Sequence, residues 1–419
     1  MSAPAALAWR AAPSTPRAHL EVAIARRLFE RAVRMLPVQA RYPDGRVVRA
    51  HPTSADAPVF ELVRPAAFFA RMGRDTKIGF GEAYMAGDWR PGAGTDLADL
   101  LTPFAARLTT LIPQPLQRLR AIVDDRIPSH HENTLAGARD NISAHYDLSN
   151  ELFEAFLDPT LTYSSAWFAG DPRLADWSAL EAAQHRKIDG ILDYAQVGRG
   201  SRVLEIGTGW GALAIRAAQR GAHVTSVTIS AEQLALAQQR VNLAGVSEQV
   251  DLRLQDYREV TGQFDAIVSV EMIEAVGEAY WPTYFATMDR LLAPGGRIAI
   301  QAITMSHERM RLTRHSYGWI QKYIFPGGLI PSLQAIDETC AAHTGLAVTG
   351  RRDLGRHYAR TLGLWRERFD SAWHTVHQLG FDDTFRRMWE FYLAYCEAGF
   401  RVGYLGVSQL QLAKTDSRT

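Results

Sequence analysis

The sequence has only two cysteines, Cys340 and Cys396, in 419 residues. They are too few for a disulfide framework, and their spacing matches no metal site. Long hydrophobic runs are missing too. No stretch approaches the roughly 18–20 consecutive apolar residues that a spanning helix needs, so any membrane contact has to be made from one side. Charge of one sign is not in excess: 46 Lys and Arg face 45 Asp and Glu, leaving +1, and no global field draws the chain to nucleic acid. Internal repeats and low-complexity tracts are absent. Residues 1–18 are rich in Ala and Pro, lack a continuous apolar core, and are read as a disordered leader, not a secretory signal. With so little cysteine, a cytoplasmic location is expected. What is present is ordinary for a globular protein: 47% hydrophobic and 22% charged residues, enough for a large core. The length suits two domains better than one.

The pattern changes near residue 130. Residues 19–37, HLEVAIARRLFERAVRMLP, predict an amphipathic helix with Leu20, Ala23, Ile24, Leu28 and Val33 near one stripe and several arginines off it. VQARY and RVVRAH flank a Pro43-Asp44-Gly45 turn and predict a hairpin, followed by a strand at PVFELV and a helix over residues 66–72. Residues 79–89, GFGEAYMAGDW, read as tight turns around an aromatic cluster. A smaller α+β domain is therefore expected over residues 19–128, with a polar linker at 129–138. Beyond it strands and helices alternate. RVLEI, HVTSVT, VDLRL, FDAIVSV and RIAIQAI are the strands, and residues 180–194 form a helix. Ser230 and Gln233 carry a capping-box signature. Apolar strands alternating with helices predict a doubly wound, Rossmann-like α/β domain over residues 139–419, with its ligand at the carboxyl ends of the strands. The region from Ser332 onward reads as mostly helical and aromatic-rich.

The strongest local signal is Glu205-Ile206-Gly207-Thr208-Gly209-Trp210-Gly211 after the first strand. Glycines at such a turn let the backbone approach a ligand and tolerate positive φ. Dinucleotide enzymes space theirs G-x-G-x-x-G. Here the spacing is E-x-G-x-G-x-G, with an acid ahead of the glycines. That arrangement favours a ligand with an amino-acid head and a sulfonium, S-adenosylmethionine, over NAD or a turn without a ligand. Thr228, Ile229 and Gln233 after the second strand, and Asp256 and Tyr257 after the third, complete the expected pocket. Many methyltransferases hold the ribose with an acid at the end of strand two; this chain has Thr228.

Several ordered motifs resemble the cyclopropane-fatty-acyl-phospholipid synthase family: HYDLSNELF at 145–153, LDP at 157–159, LTYSSA at 161–166, the Glu205–Gly211 turn, VTISAEQ at 227–233, QDYR at 255–258, WIQKYIFPGG at 319–328, His357-Tyr358 and GFR at 399–401. Residues 79–89 are similar to that family's N-terminal arm. The resemblance implies transfer of a methyl from S-adenosylmethionine to a cis double bond of a phospholipid acyl chain. It adds Tyr163 and Ser164 to the cofactor contacts Glu205, Gly207, Thr208, Gly209, Gly211, Thr228, Ile229, Gln233, Asp256 and Tyr257. It implies a catalytic set of Glu274, Tyr358, Gln301, Ser165 and His145, with bicarbonate as base beside Tyr358 and no metal. The substrate would be met at the inner face of the membrane by a peripherally bound enzyme with helical lipid-binding insertions. A homodimer stays open.

Alkene attack on a methyl sulfonium creates a carbocation, which a carboxylate stabilises. Glu274, after the fourth strand, matches the family's active-site acid, and Glu271 is the second candidate. The chain departs from the ring-forming pattern at Ser165, Ala275 and Gln301, where the family has Cys, His and His. The phrases EMIEAVG and QAITM resemble the branch that makes 10-methylene-octadecanoyl lipids in the tuberculostearic acid pathway, whose product a separate reductase saturates. In that chemistry a hydride shift precedes loss of a methyl proton. The alternatives are a cyclopropane synthase, a small-molecule methyltransferase and a non-catalytic lipid-binding protein. Cys396 is read as structural. Trp365, Phe369, Trp373, Phe385, Trp389 and Tyr392 read as core packing, with an acyl channel as the other reading.

Overall fold

The computed structural model describes residues 16–50, 54, 56–107 and 149–415. Most of the predicted leader, the linker at 129–138 and His145 lie outside the described residues. The chain divides into two compact units, the first drawn from Met1–Asp125, Tyr317–Ile324 and Phe369–Val402, the second from Arg126–Ser316, Phe325–Arg368 and Gly403–Thr419. A single cut near residue 130 was expected; two later segments return to the first unit instead.

The first unit holds α1 (Pro16–Met35), α2 (Pro65–Arg74), α3 (Thr76–Met85) and α4 (Leu97–Ala106) around a small sheet. That sheet runs in the order β2 (Val47–Arg49), β1 (Gln39–Arg41), β3 (Val59–Leu62), β4 (Trp89–Pro91). The expected hairpin is there, with Ala40 opposite Val48. The buried stripe of α1 differs from the expectation: Ala25, Phe29 and Val33 face the core, while Leu20 and Ile24 are 62% and 47% exposed. Phe29 decides the rotation, because its ring meets Phe60, Phe68 and Phe69 at centroid distances of 5.0, 5.1 and 5.8 Å. Residues 79–85, expected as turns, belong to α3, which Asp75 caps through the N–H groups of Lys77 and Ile78. Its glycines serve close packing. A Cβ on Gly79 would fall 2.3 Å from the Arg71 carbonyl oxygen, and one on Gly81 would fall 2.6 Å from the ring of Trp319. Phe391 also packs on Phe80, Tyr84 and Trp89. These aromatic contacts explain why the segments carrying Trp319 and Phe391 join this unit.

The second unit is built on a seven-stranded sheet. Its strands are β5 (Arg202–Ile206), β6 (His223–Thr228), β7 (Val250–Leu254), β8 (Phe264–Val270), β9 (Leu292–Thr304), β10 (Leu346–Asp353) and β11 (Gly406–Lys414). They run in the order β10-β11-β9-β8-β5-β6-β7. From β9 to β7 the neighbours are parallel, and β11 pairs antiparallel with both β9 and β10. Alternate residues feed two cores. Leu204, Ile206, Ile267, Ile298 and Ile300 point to one, Val203, Val224, Ala266, Val268 and Ala299 to the other. A sheet covered on both faces needs apolar residues at every position, and that made these strands readable. The helices that shape the site are α5 (Asn150–Phe156), α6 (Leu180–Tyr194), α7 (Ala212–Gln219), α8 (Ala231–Leu243) and the short α9 (Ile273–Val276). The order reverses at β5, between β6 and β8, so a crevice opens at the carboxyl end of β5.

Candidate active site

That crevice is a cleft of about 1240 Å³, part of it open to solvent. The turn after β5 forms its floor. Gly207, Gly209 and Gly211 have φ of +96°, +52° and +86°. A Cβ on Gly207 would meet the Met272 side chain, whereas nothing lies within 4 Å of the Cβ position of Gly209. Gly211 does not line the cleft; it packs α7 on α8, where an added Cβ would sit 3.3 Å from that of Ala237. All the other expected cofactor residues line it: Tyr163 and Ser164; Glu205, Gly207, Thr208 and Gly209; Thr228, Ile229 and Gln233; Asp256 and Tyr257.

Each wall is fixed locally. Ser226 donates to Glu205 Oε2 at 2.6 Å, and Thr208 Oγ1 lies 2.7 Å from Ser226 Oγ. Since the Ser226 proton is committed to Glu205, Thr208 donates to Ser226. Burial pushes the Glu205 carboxyl up to about 8, against the pull of Ser226 and of Lys187. Ser230 caps α8 through Gln233 N at 3.2 Å, and Thr228 donates to Gln233 Oε1 at 3.4 Å, so the end of β6 is a hydroxyl–amide pair where an acid is common. Asp256 is gripped by Arg258 through two hydrogen bonds of 2.8 and 2.6 Å, leaving Tyr257 as the aromatic wall. Tyr163 stacks on Trp365 at 5.3 Å.

The expected catalytic residues gather on one carboxylate, and it is Glu271. Ser165 N–H donates to its Oε1 at 3.0 Å, Gln301 Nε2 to Oε1 at 2.7 Å, and the Tyr358 hydroxyl to Oε2 at 2.8 Å. The Ser165 hydroxyl turns away to the Ala166 carbonyl, so its backbone makes the contact. Gln409 on β11 donates to Gln301 Oε1 at 3.2 Å and holds that amide's orientation. Glu271 lines the cleft at the end of β8 with φ of +50°, a left-handed conformation unusual for a residue with a Cβ. Burial raises its carboxyl above the ordinary range, opposed by its donors and by Lys187. Glu274, on α9, is not among the cleft-lining residues. Its Oε1 accepts from Ile303 N–H, and its Oε2 is sealed from solvent with no hydrogen-bond partner. Burial and the charge of Glu271 push it up to about 8. His145 lies outside the described residues.

Lys187 escaped the sequence reading. It is 1% exposed, lines the cleft, and donates to Ser164 Oγ at 2.6 Å. Burial pulls it down to about 8, against the attraction of Glu271, Asp158 and Glu205. The signal was available: Leu180, Ala183, Gln184, Lys187, Ile188 and Ile191 recur at helical spacing, and all are buried. The cysteines are inert, since burial pushes both thiols up to about 12. Trp365, Phe369 and Trp389 are fully buried, as core packing requires.

A model of the mycolic acid cyclopropane synthetase family matches residues 133–410. The chain belongs to that family. It is 52% identical over 412 residues to the tuberculostearic acid methyltransferase UfaA1 of Mycobacterium tuberculosis, covering 97% of this chain and 95% of the relative. It is 36% identical to the cyclopropane-fatty-acyl-phospholipid synthase of Escherichia coli K12, over 83% of this chain and 86% of that one. Among solved structures, the mycolic acid cyclopropane synthase CmaA1 complexed with SAH and CTAB superposes with a TM-score of 0.60 at 32% identity, covering 66% of this chain and 98% of that one. Family membership makes this chain an S-adenosylmethionine-dependent methyltransferase of lipid acyl chains.

Proposed function

We propose that the enzyme methylates the cis double bond of an oleoyl chain on a phospholipid and releases a 10-methylene acyl lipid. The observation that carries this reading is the hydrogen-bonded group of Glu271, Gln301, Ser165 and Tyr358 at the cleft wall, in a chain 52% identical to a tuberculostearic acid methyltransferase. S-Adenosylmethionine, when bound, supplies an electrophilic methyl on a sulfonium. Gly207 and Gly209 would give its amino-acid end a close approach to backbone, Glu205 would face its positive charge, and Tyr257 would offer a wall for the adenine. Transfer places a cation on the neighbouring chain carbon. Glu274, with one carboxyl oxygen unpartnered, supplies the compensating charge. A hydride shift then moves the cation to the methylated carbon, and loss of a methyl proton leaves the exocyclic methylene. Saturating it calls for a separate reductase.

The substrate arrives from a bilayer. No helix among the described residues is long and apolar enough to cross one. The exposed face of α1, with Leu20 and Ile24 followed at helical spacing by Arg27 and Arg31, has the make-up of a segment that lies on an anionic lipid surface. Expression in a host that lacks such enzymes, fed oleate, tests the assignment by mass spectrometry of its phospholipids. A new methylene-branched C19 acyl chain is expected. A cyclopropane product alone would transfer the assignment to the ring-forming alternative, and no new acyl chain would refute acyl methylation.

A further inference from the structure

A bicarbonate ion beside Tyr358 does not fit this site. The three residues available to hold it, Ser165, Gln301 and Tyr358, already donate to the two oxygens of Glu271. The Ser165 hydroxyl is spent on Ala166, and the Gln301 oxygen on Gln409. A second anion would meet a carboxylate at close range with those donors already committed. The backbone is also arranged for this side chain. Glu271 stands in a left-handed conformation that a Cβ makes costly, and its N–H is fixed to the Gln301 carbonyl at 2.7 Å.

We infer that Glu271 is the general base of the reaction, a carboxylate built into the chain in place of a diffusible anion. This rests on the acyl-methylation reading above. A carboxylate offers about four acceptor positions. Two donors fill Oε1 and one reaches Oε2, so one position on Oε2 remains, on a residue that lines the cleft. In the proton-transfer step a C–H bond of the transferred methyl breaks. Its proton goes to Glu271 Oε2, its electron pair becomes the new carbon–carbon π bond, and the cation is neutralised. Glu271 leaves the step as a carboxylic acid and returns its proton to solvent after product release. Glu274 and Lys187 are the charged groups that face it, and Tyr358 is the titratable donor.

The test compares the wild type with Glu271→Gly and Glu271→Gln in buffer scrubbed of carbon dioxide and then supplied with bicarbonate. Glycine suits a φ of +50°, and glutamine keeps the size of the side chain, so both should fold; unchanged S-adenosylhomocysteine binding by calorimetry checks this. The wild type should be indifferent to bicarbonate. Glu271→Gly should be at least ~100-fold slower without it, the usual scale for losing a general base, and should recover ~10-fold or more with millimolar bicarbonate but not with chloride. Glu271→Gln should be slow and beyond rescue, because the amide fills the cradle. Broadening of the 13C-bicarbonate signal should appear with Glu271→Gly and not with the wild type. A wild type that binds bicarbonate or slows when it is removed, or a Glu271→Gln variant at full rate, would overturn the inference. Failure of the acyl-methylation reading looks different: no methyl reaches oleoyl chains, or only a ring forms, and the bicarbonate signal still decides the state of the cradle.

Discussion

Gly207 and Gly209 stand two residues apart in the turn after β5, yet an alanine at each should fail in a different way. At Gly207 φ is +96°, outside the left-handed well that residues with a Cβ tolerate, and the new Cβ would lie 2.7 Å from Met272 Cγ and 2.9 Å from its Sδ. Backbone strain of ~1–2 kcal/mol and overpacking of ~1–3 kcal/mol together put the loss of stability at ~2–5 kcal/mol in the unliganded protein. At Gly209 φ is +52°, inside that well, and no atom lies within 4 Å of the new Cβ. Its cost in stability is therefore about 1 kcal/mol. But Gly209 lines the cleft, so the empty space beside it is the space a ligand enters. A methyl there should weaken binding by ~1–3 kcal/mol, about 5- to 150-fold in Kd. Urea unfolding without ligand and calorimetric titration with S-adenosylhomocysteine separate the two effects. Gly207→Ala should be clearly less stable; Gly209→Ala should unfold close to wild type and bind worse. Wild-type affinity in Gly209→Ala would refute close approach of the cofactor to this backbone. Wild-type stability in Gly207→Ala would show that Met272 swings aside and that the turn does not need its first glycine.

Glu274→Gln should keep S-adenosylhomocysteine affinity within a few-fold and lower turnover by about two to three orders of magnitude, because the lost charge matters only where cation develops on the substrate; near-full turnover would make Glu274 a bystander. The same variant should gain stability relative to wild type as pH rises. The native carboxyl titrates at about 8 against 4.5 in the unfolded chain, so wild type loses stability through that window and the amide does not. Lys187→Met should move the acidic limb of the kcat/KM profile upward, since the departing ammonium no longer favours the ionised forms of Glu271 and Glu205. An unmoved limb would reduce Lys187 to an anchor for Ser164.

The central parallel strands were legible because burial on both faces leaves an apolar run, and β5, β6 and β8 fall on the predicted residues, as does the edge strand β7. β10 and β11 were not, and the region beyond Ser332 was read as mostly helical. The reason lies in their side chains. Leu346–Asp353 ends in Arg351, Arg352 and Asp353 at the edge of the sheet, where charge is tolerated. Gly406–Lys414 buries Ser408 and Gln409, polar residues that break any hydrophobic pattern yet are satisfied inside, Gln409 by Gln301 and the Lys187 carbonyl. The lining of the cleft was readable because its residues follow strand ends in order. The carboxylate cluster was only half readable. Glu271 directly follows FDAIVSV, at the carboxyl end of β8 and on the cleft wall, but Glu274 carried the familiar motif. Nothing local reveals that residues 165, 301 and 358 converge on the former.

Two acids three residues apart can divide the work because their surroundings differ. Burial raises the Glu271 carboxyl, but three donors and the field of Lys187 oppose it and favour the anion before any ligand enters. Glu274 has one backbone donor, a buried oxygen without a partner and Glu271 nearby, so less in its surroundings opposes the proton that burial favours. A sulfonium in the cleft changes that balance by bringing in a positive charge, which favours the ionised form of Glu274. Methyl transfer then moves this charge from sulfur to carbon without creating any. An acid ionised on cofactor binding therefore remains ionised while the chain carbon is cationic, and needs no further reorganisation at the moment of reaction. Reversing the roles would ask the acid with the sealed oxygen to collect the proton. It would also leave the acid held by three donors at the cleft wall with no proton to take.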